Sequence, residues 1–245
     1  MKKIFCMIMT ATILFSLCAC GSDSVSTPEP VSTPVIESIP EPTPEPVKEP
    51  SAEVVYEALI LDKDGDGSTY IAEIKNNGDM PIEISDISID IETDDGKLLK
   101  VLDYVSSSPR IIDAGQSAYI CESAITMFDT DINAIDATVA KLHYDIEKGV
   151  MPDMPVEVTQ IELTNKLGYP NIVGKAKNNG DQDLTFVYIC APLYSADGVL
   201  QTIITTYVDV KAGEEASFDQ MAIFADYQAD YSNSILGEIS VYPLF

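Results

Sequence analysis

Asp62, Asp64 and Asp66, followed by Gly67 and Glu73, fall at positions 1, 3, 5, 6 and 12 of the stretch DKDGDGSTYIAE. Carboxylates at that spacing, with a glycine at the sharp bend and a distal glutamate, are what a calcium loop uses to surround a hard cation with oxygen. The flanks do not supply the two helices such a loop needs. Downstream, only Ile74 and Lys75 separate Glu73 from Asn76-Asn77-Gly78, and Pro81 follows closely, so no exiting helix can form. Upstream, VVYEALIL begins with β-branched residues and reads as a strand.

Other residues that do chemistry are few. His143 is the one histidine, set in AKLHYDIE, and its expected place is a strand, with the ring toward solvent or in a hydrogen bond at the rim. No G-x-S-x-G marks a nucleophile elbow. Carboxylates are plentiful, but no pair stands out as an acid and base for glycoside hydrolysis. The chain has no Trp and 12 Tyr, so any stacking platform would have to be built from tyrosine. No enzyme and no resident cofactor are expected, apart from a structural calcium ion if the acidic loop finds further ligands.

Those further ligands depend on how the chain is built, and it repeats itself. Lys75-Asn76-Asn77-Gly78-Asp79 returns as Lys177-Asn178-Asn179-Gly180-Asp181, and Asp95-Gly96 returns as Asp197-Gly198. Ala114-Gly115 returns as Ala212-Gly213, four residues early, so the second copy is shorter in between. Within each copy the apolar residues alternate, which is the period of a half-buried strand. Ile82 and Ile84 precede a slip, after which Ile87, Ile89 and Ile91 alternate; Leu184 and Phe186 likewise precede Ile189, Ala191 and Leu193. A shared slip predicts a β-bulge near Ser85-Asp86 and Val187-Tyr188. With turn residues at regular intervals, the expectation is an all-β chain of two tandem immunoglobulin-like sandwiches, residues 51–148 and 156–245, joined by 149–155.

The repeat also reinterprets the acidic loop. Residues 62–68 align with 164–170, a turn that carries no acids, and Glu73 aligns with Lys175. Glu73 is therefore expected on a strand rather than on a cation. If successive strands cross the sandwich, alternate connections share one end. That end would collect Asp62, Asp64, Asp66, Asp94, Asp95, Asp129 and Asp131. Two readings stay open there: a calcium ion that relieves the repulsion, or a solvated acidic tip screened by salt.

Composition and the leader set the location. Lys2 and Lys3 precede an apolar run, Ile4 to Leu17, too short for a membrane span and suited to a signal peptide, residues 1–19. Leu17-Cys18-Ala19-Cys20 resembles the lipobox of bacterial lipoprotein signal peptides, with a less usual Cys at −2. The resemblance implies cleavage before Cys20 and a diacylglycerol thioether on its sulfur, a durable anchor when a second acyl chain is added. Residues 20–50 carry repeated Thr-Pro and Glu-Pro pairs and read as a disordered, extended tether that could span about 90 Å. The net charge of −26 makes nucleic acid an unsuitable partner. Beyond the anchor, Cys121 and Cys190 lie in apolar runs, AYICES and VYICAP, and are expected as small buried hydrophobes.

The second copy, NIVGKAKNNGDQDLTFVYICAPLYSADGVL followed by VDVKAGEEASF, resembles the FxLYD domain of Gram-positive surface proteins. Leu193-Tyr194 and Asp197-Gly198 match that pattern; Ala191 replaces its Phe and Ser195 its Asp. The likeness covers residues 156–242 well and 53–147 weakly. It implies an immunoglobulin-like sandwich and brings no catalytic residue with it. The expected role is a cell-surface, lipid-anchored interaction or spacer protein whose partners are the membrane, through Cys20, and an envelope or extracellular protein or glycan. An extracytoplasmic solute- or glycan-binding lipoprotein is the alternative.

Overall fold

The computed structural model describes residues 49–61, 68–93, 95–122, 138–222 and 229–243. Every regular element among them is a β-strand. The first copy contributes β1 (Ala52–Leu61), β2 (Ser68–Asn76), β3 (Ile82–Thr93), β4 (Leu98–Val105), β5 (Ile111–Ile112), β6 (Ser117–Glu122) and β7 (Thr138–Lys148). The second contributes β8 (Val156–Lys166), β9 (Tyr169–Asn178), β10 (Leu184–Tyr194), β11 (Leu200–Val210), β12 (Glu215–Met221), β13 (Ile235–Leu236) and β14 (Ser240–Tyr242). These strands thus form two tandem β-sandwiches, all antiparallel among the described residues.

Each sandwich has a three-stranded sheet, β1-β2-β6 or β8-β9-β12, facing a sheet built around one long strand. In the first copy β3 pairs with β4 and β5 along one side and β7 along the other. In the second, β11 runs unbroken beside β10, and the short β13 and β14 take the place of β7. The inward residues make two cores, one around Ile74, Ile84, Ile89 and Ile120, the other around Ile172, Ile189, Leu193 and Phe218. Burying a side chain of this size stabilises by about 1.5–3 kcal/mol each.

The repeated Lys-Asn-Asn-Gly-Asp motif is structural. Asn76 is fully buried; its amide nitrogen donates to the carbonyls of Met80, at 2.9 Å, and Ile112, at 3.3 Å, and its side-chain oxygen accepts from Gly78 N–H at 3.0 Å. Asn178 repeats this set with Gln182, Val210 and Gly180 at 2.7, 3.2 and 2.9 Å. One amide therefore pins the turn between sheets to the end of the neighbouring strand, in a place where unpaired backbone groups would be costly.

The slips in β3 and β10 are bulges, but they do not coincide. In β3 the register breaks between Ser85 and Ser88 around Asp86, whose φ is 48°, as expected. In β10 it breaks between Leu184 and Val187, around Phe186 with φ 52°, earlier than the sequence predicts. The earlier slip turns Val187 inward and leaves Phe186 46% exposed. Its backbone N–H is held by Asp209 Oδ1 at 2.9 Å.

Residues 46–245 form one compact unit, and a third apolar cluster explains why. The outer face of β1-β2-β6, carrying Tyr56, Ile71, Tyr119 and Cys121, packs on the outer face of β10 and β11, carrying Cys190, Tyr194, Leu200 and Ile203. Consequently β10 is buried on both faces from Val187 to Leu193, save for a partly open Tyr188. The corresponding outward positions of β3 are Asp86, Ser88, Asp90 and Glu92, which stay at the surface.

Candidate functional site

Of the residues whose types pointed to chemistry, Cys20, Asp62, Asp64, Asp66, Asp94, Asp129 and Asp131 lie outside the described residues. Antiparallel pairing of Leu61 with Ser68, Tyr70 with Glu122 and Thr93 with Thr138 sets the strand ends that adjoin these segments at one end of the first sandwich. Asp95 is described there. Its carboxylate accepts from the Thr93 hydroxyl, and that bond, with backbone N–H groups behind it, holds the carboxyl below its usual range. Among the described residues no three His, Cys, Asp or Glu side chains group to hold a metal.

Glu73, the twelfth position of the calcium-loop pattern, stands in mid-strand on β2. Its carboxylate accepts from Ser117 Oγ at 2.6 Å and from the Tyr194 hydroxyl at 2.9 Å, while the Tyr119 and Tyr194 hydroxyls are 3.1 Å apart. A single carboxylate thus ties the two copies together through a polar chain beside the third apolar cluster. Burial foremost pushes Tyr119 up to about 12 and raises Tyr194 as well. The equivalent turn in the second copy is a two-residue hairpin, Leu167 and Gly168 both left-handed at 56° and 92°, the backbone of a tight β-hairpin.

His143 lies on β7 with its side chain 55% exposed and Nε2 3.2 Å from Asp90 Oδ2. Cys121 and Cys190 are free thiols. Burial foremost pushes Cys121 up to about 12 and Cys190 higher, which keeps both as unreactive thiols rather than thiolates. Both belong to the apolar cluster between the copies, Cys190 fully buried and Cys121 partly so.

The recess that stands out was not singled out by residue type. Between β4 and β5 the chain leaves the sheet as Ser106-Ser107-Ser108-Pro109-Arg110, with a cis bond before Pro109. Ser108 pairs instead with Tyr119 at the edge of β6. Where β11 runs straight in the second copy, the first copy therefore opens a cleft of about 570 Å³ walled by Asp86, Tyr104 and Arg110. The same serines and Arg110 continue into a recess of about 250 Å³ closed by Tyr188 and Tyr242 of the second copy. From there an aromatic row leads outward: Tyr242 stacks on Tyr188 at 5.6 Å, Tyr188 meets Tyr207 at 6.0 Å, and Tyr207 meets Phe186 at 5.5 Å.

The polar groups along this groove are specific. Arg110 pairs with Glu83 at 2.7 Å and keeps about half of its side chain exposed. Ser107 is buried to 7% exposure, and its hydroxyl has no hydrogen-bond partner. Two signals in the sequence point here: the four additional residues of the first copy between Gly96 and Ala114, and the outward run Tyr188, Cys190, Pro192, Tyr194 where β3 has acids and serine. Neither signal says what the surface faces until the two copies are docked.

No known protein family matches the sequence, and no curated relative does. Among solved structures, the chain is similar to a Bacteroides uniformis β-glucuronidase, with 16% identity over 68% of this chain and 23% of that one and a TM-score of 0.22. It is also similar to dimeric latent PorU from Porphyromonas gingivalis, with 14% identity over 78% of this chain and 20% of that one and a TM-score of 0.23. The chain spans less than a quarter of either protein's length, and superpositions this loose bear on neither the fold nor the activity.

Proposed function

We propose that this chain is a non-enzymatic binding module of the bacterial envelope, anchored by lipid on Cys20 and carried on its proline-rich tether. The observation that carries the reading is the seam. Two sandwiches joined by a third apolar cluster and by the Glu73–Tyr194–Tyr119 chain form one body. One recess lies where a loop of one copy meets an aromatic face of the other. Binding sites favour such junctions, where a few polar groups converge on an apolar wall. The lipobox-like residues and the resemblance of residues 156–242 to FxLYD domains support an extracytoplasmic surface role. The alternative reading as a solute- or glycan-binding lipoprotein shares this architecture and differs only in the ligand.

Metabolic labelling with a fatty-acid analogue in a bacterium expressing the full chain tests the anchor. The wild-type chain should take up label and partition into detergent, and Cys20→Ala should do neither. Label and partitioning unchanged in Cys20→Ala would overturn the anchor. Crosslinking on whole cells should then link the wild-type chain to envelope components, and mutation of the seam groove should weaken that capture.

A further inference from the structure

A sheet edge is a row of unpaired backbone groups, and folded proteins blunt it with charge, proline, bulges or short strands. The first copy does so. At the edge formed by β4 and β5, the strand bulges at Asp103 and Tyr104, the latter with φ 64°, Lys100 and Asp103 bring charge, and the chain leaves the sheet before Pro109. At other edges β7 and β8 carry lysine as well as acid, and β1 carries Glu53 and Glu57. The matching edge of the second copy is left open. There β11 is a strand of 11 residues, LQTIITTYVDV, rich in β-branched residues and free of Pro, Gly and Lys. Over Thr202–Asp209 it runs without a bulge of its own, and among the described residues it pairs with β10 alone. Its single charge, Asp209, turns back toward β10, where Oδ1 accepts the Phe186 N–H at 2.9 Å.

The face beside this edge is already half used. The first copy covers the outer side of β10 and β11 at Cys190, Tyr194, Leu200 and Ile203. Beyond them Thr205, Tyr207 and Asp209 are exposed. Across that open half runs a ladder of rings set directly opposite one another, Tyr242 on β14, Tyr188 on β10 and Tyr207 on β11. Cross-strand pairs of this kind are the unit of sheet stability. Among the described residues the ladder stops at the edge, with Tyr207 57% exposed. Its next rung would come from a strand added to β11.

The strand that fits is β11 itself. Antiparallel pairing of two copies about Tyr207 sets Tyr207 against Tyr207 and continues the ladder across a two-fold axis, the commonest symmetry of soluble oligomers. The same register sets Thr205 against Asp209, so no two carboxylates meet. Because the strands run oppositely, the half of each β11 that lies under its own first copy points away past the end of the other strand. The joint within each chain is therefore undisturbed. We infer that the protein forms a two-fold homodimer by antiparallel pairing of β11 with β11 over Thr205–Asp209. The inference goes beyond the binding-module reading and does not rest on it.

Sedimentation equilibrium of the detergent-solubilised full chain, in detergent matched to the solvent density, tests it. A monomer–dimer equilibrium is expected, with dimer prevailing at about 0.1 mM. The net charge of −26 opposes association, so the dimer should tighten from about 0.05 to 0.5 M salt, the reverse of a contact held by opposite charges. Tyr207→Lys sets like charges against each other at the axis and should weaken dimerisation at least about tenfold, while the monomer's melting temperature holds. Thr205→Lys faces Asp209 and should leave the dimer formed. Trapping with an added thiol oxidant reads the register. Tyr207→Cys should link to its own counterpart, since directly opposed strand residues lie within disulfide reach. Thr205→Cys should not, because its counterpart lies about 13 Å along the strand. A monomer at every concentration up to about 0.1 mM, a dimer unmoved by Tyr207→Lys or lost in Thr205→Lys, or linking no stronger through Tyr207→Cys than through Thr205→Cys would overturn the inference. Linking of Tyr207→Cys on whole cells to a different protein alone would also overturn it, and would leave the binding-module reading standing.

Discussion

Asn76 and Asn178 are single side chains that each satisfy two carbonyls and one N–H at the corner of a sandwich. Their chemistry requires an amide, with donors and an acceptor on one planar group. Asn178→Asp is nearly isosteric but sets a carboxylate against the carbonyls of Gln182 and Val210, so it should destabilise by at least about 2 kcal/mol, as much as Asn178→Ala. Chemical denaturation of the three proteins checks this, and an unchanged midpoint for the aspartate variant would show that the corner does not depend on the donors. The motif was plain in the sequence as a repeat, and its buried structural role follows once the turn is formed. The Ser107 hydroxyl was not legible, because a serine in a serine run gains meaning only from what surrounds it.

At the scale of strands, the copies solve the same packing problem with different pairs. Gly174 on β9 sits opposite Phe218 on β12, whereas at the matching place in the first copy Ala72 sits opposite Ile120. A Cβ at Gly174 would come within 2.4 Å of the Phe218 ring and 2.4 Å of the Gln160 carbonyl. Gly174→Ala should therefore destabilise by about 1–3 kcal/mol despite the better strand propensity of alanine. Adding Phe218→Ile, the first copy's choice, should recover part of that loss as a positive coupling in a double-mutant cycle. A neutral Gly174→Ala would show that β12 moves freely over β9. Strand positions and the bulge in β3 were readable from period-two alternation. The bulge in β10 was placed too late, because Phe186 reads as a core residue by type; its N–H bond to Asp209 and its ring contact with Tyr207 hold it outside.

For the whole molecule the deciding feature is the seam, and its chemistry gives it an alkaline limit. Tyr119 has a folded pKa of about 12 against 10.0 when free, chiefly from burial, and Tyr194 is raised in the same direction. Between those values the unfolded chain has released protons that the folded chain keeps, so stability must fall as pH rises above about 10. Cys190, which faces Tyr119 and whose thiol burial also raises, adds to the same loss. Melting temperatures from pH 8 to 11, compared at about the same ionic strength, should drop less steeply in the Tyr119→Phe, Tyr194→Phe double variant than in the wild type. Equal slopes would show that other buried tyrosines, Tyr70 among them, set the alkaline limit instead.

The sequence by itself determined that the two copies are β-structure built on one repeated sandwich pattern, and that its asparagine corners and turns recur. These properties are local: alternation, turn residues and repetition act within a few positions of the residues that show them. It also determined that Glu73 belongs to a strand, since the repeat places it there. Only the tertiary structure decided that the outer face of β10 is a joint and not a surface, that Cys121 and Cys190 share one cluster, and that a serine loop and an aromatic row from different copies make a single groove. Those depend on which faces meet across more than eighty residues of chain, as between Ser108 and Cys190. An outward apolar face specifies that it must be covered, while the shape and polarity of the opposing surface select what covers it.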